Sequence, residues 1–293
     1  MKLSVCLIVK NEEALLARCL NSVKDADEII VCDTGSTDRT IDIALQFTDK
    51  VFTDYVWNDD FAEARNHALS KATGQWVLSI DADEVLQPGG IQIIRHIIQN
   101  NPESKGFYVN MVDEKSGAAH KLIRLFMNKD YIRWVCHGGG FVHETVDVKS
   151  ADAPVVITYG YSPAHELDPD MDMRLLLKSV QQFPNNVRNH YYLAREFYYR
   201  KDFRQAVGLL SHYVQHSTFM AEKADAWLLL ARCHWALSEG DNARVCCLNA
   251  ININANFREA VLFMAELSWE HNAMVWRAFA QLCSNAGVLF VRN

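Results

Sequence analysis

The first eighty residues alternate short apolar runs with stretches of helical period, and few folds accommodate that alternation. "LSVCLIV" (3–9), "EIIVC" (28–32), "KVFTD" (50–54) and "WVLSI" (76–80) are strand-like runs rich in β-branched and apolar residues. Between them lie "EEALLARCLNSV" (12–23), "STDRTIDIALQF" (36–47) and "DDFAEARNHALSKA" (59–72), which read as helices. In the second of these, Ser36 or Thr37 stands where a helix cap belongs and Asp38 where the positive helix end favours an acid. Strand and helix in turn predict right-handed βαβ units and a parallel sheet. From residue 106 the pattern changes. "GFYVNMVD", "HKLIRLFMN", "IRWVCHGGGFVHETV" and "APVVITYGY" read as strands without helices between them. They predict a mixed extension of the sheet, with the glycine run 138–140 as its loosest loop.

Past "SPAHELDPDMD" (162–172), which reads as a linker, the chain turns helical and repeats itself. "HYYLAREFYYRKDFRQAVGLL" (190–210) and "WLLLARCHWALSEGDNARVCC" (227–247) align with a shift of 37, so that Ala194 and Ala206 fall on Ala231 and Ala243. "VLFMAELSWEHN" (261–272) sets Ala265 a further 34 along. A helix-turn-helix unit of this length with small residues at these offsets resembles the tetratricopeptide (TPR) repeat. Two copies and a truncated third are expected. The division that follows is an α/β domain over residues 1–165 and an all-α, TPR-like helical domain over 166–293.

Charge narrows the partners. The chain holds 29 Lys+Arg and 36 Asp+Glu, a net charge of −7. Residues 1–165 carry 16 of the basic and 23 of the acidic residues, and 166–293 carry 13 of each, so the excess lies wholly in the first part. With no basic tail, a large phosphate-backbone footprint is disfavoured. The eight cysteines form no C-x-x-C pair, and most sit in apolar runs. They read as buried thiols in a reducing compartment rather than as a disulfide or zinc framework. The apolar part of "MKLSVCLIVKNEE" is too short for a signal peptide, and no run approaches 18 apolar residues. A cytoplasmic protein without membrane contact is expected.

The stretch "QWVLSIDADEVLQPGG" (75–90) places Asp81, Asp83 and Glu84 at the mouth of the fourth strand. In sheets of this kind ligands bind outside the carboxyl ends of the strands. If the chain stays extended, Asp81 and Asp83 face one way and Glu84 the other. Two hard oxygen ligands side by side suit a divalent cation that holds a phosphate, while a solvated turn is the alternative for a lone D-x-D. Context favours the cation. Asp33 ends the second strand in "VCDTGSTD", and "KNEE" (10–13) ends the first. Gly35 permits a tight turn there, beside a helix N-terminus.

Taken together, "SVCLIVKNEE", "EIIVCDTGSTDRT" and "WNDDFAEARNHALSKATGQWVLSIDADE" resemble the inverting nucleotide-sugar glycosyltransferases of family 2, which have the GT-A fold. More narrowly, the chain is similar to the bacterial subgroup with C-terminal TPR-like repeats, which includes the peptide cysteine S-glycosyltransferases. "KLIRLFMN", "GGFVHE", "ITYGYS" and "MRLLLKSVQQFPNN" agree. The resemblance implies a UDP-sugar donor and a Mn²⁺ or Mg²⁺ cofactor. It assigns Lys10, Asn11, Glu12, Asp33 and Gly35 to the nucleotide, with Asp33 on the uracil or ribose. Arg65 and Asn66 approach the nucleotide and diphosphate, although an Arg on an amphipathic helix also serves merely to solvate a face. Asp81 and its neighbour Ala82 contact the ribose or a metal-bound water, and Asp83 binds the metal. Glu144 of "VHE" is the base that deprotonates the acceptor; His143 acting itself, or Asp59 or Asp60 of "WNDD", are its rivals, and a hydrogen-bonded strand-end pair is the alternative. Where related sequences carry a further histidine this chain has Thr158, and His165 is the candidate replacement as a metal ligand.

The segment "RNHYYLAREFYYRKDFR" (188–204) interleaves basic and aromatic residues. Tyr192 and Phe197 are expected in the repeat core. The surplus suits an acceptor: a peptide or protein, a glycan, or a hydroxylated nucleobase. The competing function is a non-catalytic scaffold, a degenerate transferase fold that displays repeats for protein binding. A nucleotidyltransferase would need a glycine-rich loop after the first strand, where this chain has "KNEEA".

Overall fold

The computed structural model describes residues 1–136 and 144–283. They fall into two compact units, the first extending to Met171 and the second beginning at Asp172.

In the first unit the strands are β1 (Leu3–Val9), β2 (Glu28–Asp33), β3 (Val51–Phe52), β4 (Trp76–Ser79), β5 (Glu84–Leu86), β6 (Gly106–Asp113), β7 (Ala119–Met127), β8 (Trp134–Cys136), β9 (Glu144–Val146) and β10 (Ser150–Tyr159). Among the described residues eight of them form one sheet in the order β3-β2-β1-β4-β7-β6-β10-β5, and β8 pairs with β9. β1 lies parallel to β2 and β4, and β2 to β3. β7 enters antiparallel between β4 and β6, while β6 and β10 are parallel to each other. The carboxyl ends of β1, β2, β4, β6 and β10 therefore share one edge with the start of β7. The sheet is mixed where the sequence predicts it.

Both faces of the central strands are covered, which is why they read as unbroken apolar runs. Val5, Leu7, Leu78, Phe107 and Ile157 pack on one side with Leu16, Leu20 and Ile94. Cys6, Ile30, Cys32, Val77 and Phe126 pack on the other with Ala68, Leu69 and Trp134. Helices α1 (Leu16–Ser22), α2 (Thr40–Ala44), α3 (Phe61–Ser70) and α4 (Gly90–Asn100) complete this unit's α-helices. Two of them correct the sequence reading. α1 and α2 each start four residues later than their spacing predicts, because residues 12–13 and 36–38 are engaged in cross-loop hydrogen bonds.

The second unit is helical: α5 (Met171–Gln182), α6 (Val187–Tyr199), α7 (Phe203–His216), α8 (Met220–Ala236), α9 (Gly240–Ile253), α10 (Arg258–Glu266) and α11 (Glu270–Leu282). Ala194, Ala206, Ala231 and Ala243 are all fully buried, as closely packed helix pairs require. The third pair is complete rather than truncated. α11 follows the short α10 and packs through Ala280, Trp276 and Phe279. Tyr191, not Tyr192, is the fully buried aromatic of α6. Among the described residues, no helix is long and apolar enough to cross a membrane. Cys6, Cys19, Cys32, Cys233, Cys246, Cys247 and Cys283 are buried free thiols.

Candidate active site

β1 and β2 end in register, Val9 opposite Asp33, and the loops that follow are laced together. Asp33, 4% exposed, turns its carboxylate back to accept from the N–H groups of Gly35 and Ser36, both at 3.0 Å. The turn needs a left-handed residue, and Gly35 supplies it at φ 109°. Asn11, itself left-handed at φ 56°, donates its N–H to Ser36 Oγ (2.8 Å) and accepts from the Thr37 N–H (2.7 Å). The Glu12 N–H bonds Thr40 Oγ1 (2.7 Å) and the Glu13 N–H bonds Asp38 Oδ2 (3.1 Å), while the Glu13 carboxylate accepts from the Arg39 N–H (3.1 Å). These bonds consume the helix-starting residues that the spacing assigned to α1 and α2.

The Glu12 side chain points elsewhere. It accepts from Oγ of Ser162, a buried residue just past β10, at 2.7 Å. Burial pushes its carboxyl up to about 7, against the Ser162 hydrogen bond, with the negative Asp83, Asp81 and Asp38 adding to the rise.

At the mouth of β4 the chain does not stay extended. The Glu84 N–H closes a turn on the Asp81 carbonyl (3.0 Å), and the Asp81 N–H donates to Glu84 Oε2 (2.8 Å). Glu84 therefore folds back onto Asp81 instead of facing away. The reason is β5, a three-residue edge strand that pairs antiparallel with β10 and reverses the chain after two turn residues. Arg65 of α3 grips Asp81 with two parallel bonds, Nη1 to Oδ1 at 2.8 Å and Nη2 to Oδ2 at 3.2 Å, and its guanidinium lies over the Trp134 ring. Arg124 of β7 donates from Nη2 to Asp81 Oδ2 (2.9 Å) and to Glu84 Oε1 (2.7 Å). Burial opposes ionisation of Asp81, but Arg65 and Arg124 overcome it and hold its carboxyl well below the ordinary range. Glu84 moves the other way. Burial raises it, Arg124 opposes the rise, and the negative Asp81 adds to it.

Sequence reasoning did not single out Arg124. It is the extra residue of a β-bulge, since Phe107 pairs with Leu125 and Tyr108 with Ile123. A bulge re-aims a side chain, and this one directs Arg124 to the acids. The available signal was a lone arginine inside the apolar run "LIRLF", since a charge buried in a strand needs a partner.

The other candidates lie as follows. Lys10 is exposed at the loop. The Asn66 amide donates to the Trp134 carbonyl (2.8 Å) and accepts from its N–H (2.9 Å), which pins β8 to α3. Ala82, 5% exposed, belongs to the apolar core, so it meets the site through its backbone. Asp60 caps α3 through the Glu63 N–H (2.9 Å), and Asp59 accepts from Trp57 Nε1 (2.9 Å). Thr158 Oγ1 donates to the Val85 carbonyl (3.4 Å) across the β10–β5 pair. Glu144 opens β9 opposite Cys136. His143 lies outside the described residues, as do the side chains of Glu144 and His165.

Among the described residues no three His, Cys, Asp or Glu side chains gather into a ready-made metal cage. What the edge offers is the carboxyl groups of Glu12, Asp81 and Asp83 near one another, with Asp81 already paired to Arg65 and Arg124. One or two oxygen donors of this kind fit a hard cation that shares its coordination with a bound diphosphate and waters.

Residues 4–141 match the family model for glycosyl transferase family 2. A TPR repeat-containing protein of Synechococcus elongatus is 39% identical over 178 residues, 55% of this chain and 42% of that protein. The SPbeta prophage-derived glycosyltransferase SunS of Bacillus subtilis is 46% identical over 81 residues, 27% of this chain and 19% of its own length. An uncharacterized glycosyltransferase of Rickettsia typhi is 34% identical over 160 residues, 50% of this chain and 52% of that one. The chain thus spans about half or less of the length of these relatives. Among solved structures, that of S. aureus TarS overlays with a TM-score of 0.49 at 15% identity, covering 84% of this chain and 55% of TarS. With the mixed sheet, its acid-lined edge and the helical repeats in place, residues 4–141 are similar to glycosyl transferase family 2, and TPR-like helices follow them in the same chain.

Proposed function

We propose that the chain is an inverting glycosyltransferase that moves a sugar from a UDP-sugar to a hydroxyl or thiol of an acceptor. The observation that carries this is the gathering of the Asp33 loop, Glu12 and the Asp81–Asp83 turn at one sheet edge, with Arg65 and Arg124 behind them. Lys10, Asn11, Glu12, Asp33 and Gly35 then form the nucleoside end, and Asp33 keeps lone pairs for the uracil or ribose beyond its two backbone partners. Asp81, fixed by two arginines, serves as a rigid wall toward the ribose, while Asp83 is the residue that holds the cation, with His165 its candidate helper. Mn²⁺ or Mg²⁺ bound there supplies positive charge against the departing diphosphate.

The acceptor oxygen or sulfur attacks the anomeric carbon from the face opposite the diphosphate. The bond from that carbon to the phosphate oxygen breaks, and its electron pair leaves with UDP. Glu144 takes the acceptor's proton, a role typically worth about 10²–10⁴ in rate. The acceptor is a peptide or protein side chain, a glycan or a hydroxylated nucleobase. Its receiving face is α6, where Arg188 and Arg195 stack over Tyr192, each at 5.5 Å, beside the exposed Tyr199 and Arg200.

The test is UDP release from a panel of UDP-sugars with Mn²⁺ and a peptide or glycan acceptor library, followed by NMR of the product's anomeric proton. One donor is expected to be consumed, with inversion. No UDP released from any donor would leave the non-catalytic scaffold standing in its place.

A further inference from the structure

We propose that His120 faces the acceptor at this site and orients the attacking hydroxyl or thiol by donating a hydrogen bond to its lone pair, which leaves its proton for Glu144; the assignment rests on the transferase function proposed above. His120 is the second residue of β7 and so lies at the same sheet edge as the carboxyl ends of β1, β4, β6 and β10. Its cross-strand partner is Met111, a buried residue of the core that also holds Leu78 and Ile157. Its imidazole meets the Tyr159 ring edge to face at 5.7 Å, reaching across β6. Tyr159 is in turn opposite Glu84 in the β10–β5 pair, and the next residue, Gly160, donates its N–H to the Asp83 carbonyl at 3.3 Å. A ring contact, a strand pair and one backbone bond thus connect His120 to the acid turn.

Four residues separate His120 from Arg124, about 13 Å of strand at most. Partial burial, and after it the positive charge of Arg124, disfavour a positive charge on His120. A neutral imidazole keeps one ring N–H as a donor and cannot compete with Glu144 for charge. That N–H is the group an O–H or S–H nucleophile needs in order to be held, and it stands away from the nucleotide loops that Asn11, Asp33 and Thr37 organise. Its open side also admits a macromolecular acceptor, because His120 and its neighbours Ala119 and Lys121 are exposed.

The experiment uses the intact chain with Mn²⁺ and whichever of UDP-glucose, UDP-galactose and UDP-N-acetylglucosamine the wild type hydrolyses fastest, water being the smallest hydroxyl acceptor. His120→Ala is expected to lower kcat for hydrolysis by about 10²-fold, the scale of a misplaced nucleophile, with the UDP dissociation constant unchanged within twofold. His120→Gln, which keeps an N–H donor, recovers part of the rate. A His120→Ala enzyme that hydrolyses at the wild-type rate, or that weakens UDP binding in step with its rate, overturns the assignment alone. A wild type that releases no UDP from any UDP-sugar, with the acceptor library present, overturns the transferase function, and the role of His120 with it.

Discussion

Replacing Arg124 by Met keeps most of the side-chain volume and removes the cation shared by Asp81 and Glu84. Asp81 retains Arg65 through two bonds, so it stays ionised and in place. Glu84 loses the 2.7 Å partner that opposed its burial; its side chain is 5% exposed. An ionised carboxylate left in that position costs about 3–5 kcal/mol. Glu84 has a second route, which is to take up a proton. Its folded-state affinity for protons is already raised, so its contribution to stability is complete below the unfolded value and is lost as pH rises through the folded one. Without Arg124 the folded value rises further. The loss caused by Arg124→Met is therefore small near pH 5.5 and grows to about 2 kcal/mol by pH 8.5, because at about 1.4 kcal/mol per pH unit for the single proton it accumulates only above the wild-type value of about 7. Amide hydrogen exchange of peptides from 76–86 and 119–127 reads this locally, free of the helical unit. Adding Glu84→Gln to Arg124→Met should restore about 2 kcal/mol at pH 8.5, within the coupling expected of contacting residues. Equal losses at pH 5.5 and 8.5, or no rescue by Glu84→Gln, would refute the bridging role of Arg124.

Other outcomes follow from the same geometry. Glu12 is held protonated up to about pH 7, so the first unit should lose stability as pH rises from 5 through 7, and Glu12→Gln should flatten that dependence in thermal unfolding. In Gly74→Ala the new Cβ would sit 2.5 Å from Ser4 Oγ, 2.8 Å from the Ser4 N and 2.9 Å from the Lys2 carbonyl, so β1 must shift. A cost of about 1–3 kcal/mol is expected in urea unfolding. In the helical unit Glu222 is fully buried between Arg188 (2.9 Å) and Tyr213 (2.6 Å), and Glu222→Ala leaves Arg188 and the Tyr213 hydroxyl without it. That change should lower helical stability by about 1–3 kcal/mol, mostly through the buried Tyr213 hydroxyl because Arg188 is half exposed, with Tyr213→Phe/Glu222→Ala losing less than the sum of the single variants.

What the sequence made legible was the part that local pattern controls. The βαβ alternation through residue 80, the later strands β6, β7 and β10 and the buried repeat alanines Ala194, Ala206, Ala231 and Ala243 appear as read, because each depends on which face a residue must bury; the described parts of "IRWVCHGGGFVHETV" instead pair with each other as β8 and β9, apart from the main sheet. The register between distant loops was not legible. Glu12 and Glu13 look like the first turn of a helix until Thr40 and Asp38 are seen to take their N–H groups. Glu84 points away from Asp81 on an extended chain and toward it once β5 reverses the backbone. Arg124 reaches the acids only through a bulge, which the apolar run around it signals as a buried charge but does not aim. Tyr191 and Tyr192 are adjacent on α6, so periodicity alone did not decide between them; the Tyr191 bond to the buried Asp225 of α8 does.

The central claim is that this sheet edge binds a nucleoside diphosphate through a cation on Asp83. Isothermal titration of the intact chain with UDP, in Mn²⁺ and in EDTA, for wild type and Asp83→Ala, tests it most directly. UDP binding that requires Mn²⁺ and falls at least tenfold in Asp83→Ala is the predicted result. UDP binding of equal strength in EDTA and in Asp83→Ala, or no binding of UDP by the wild type with Mn²⁺ present, would contradict it.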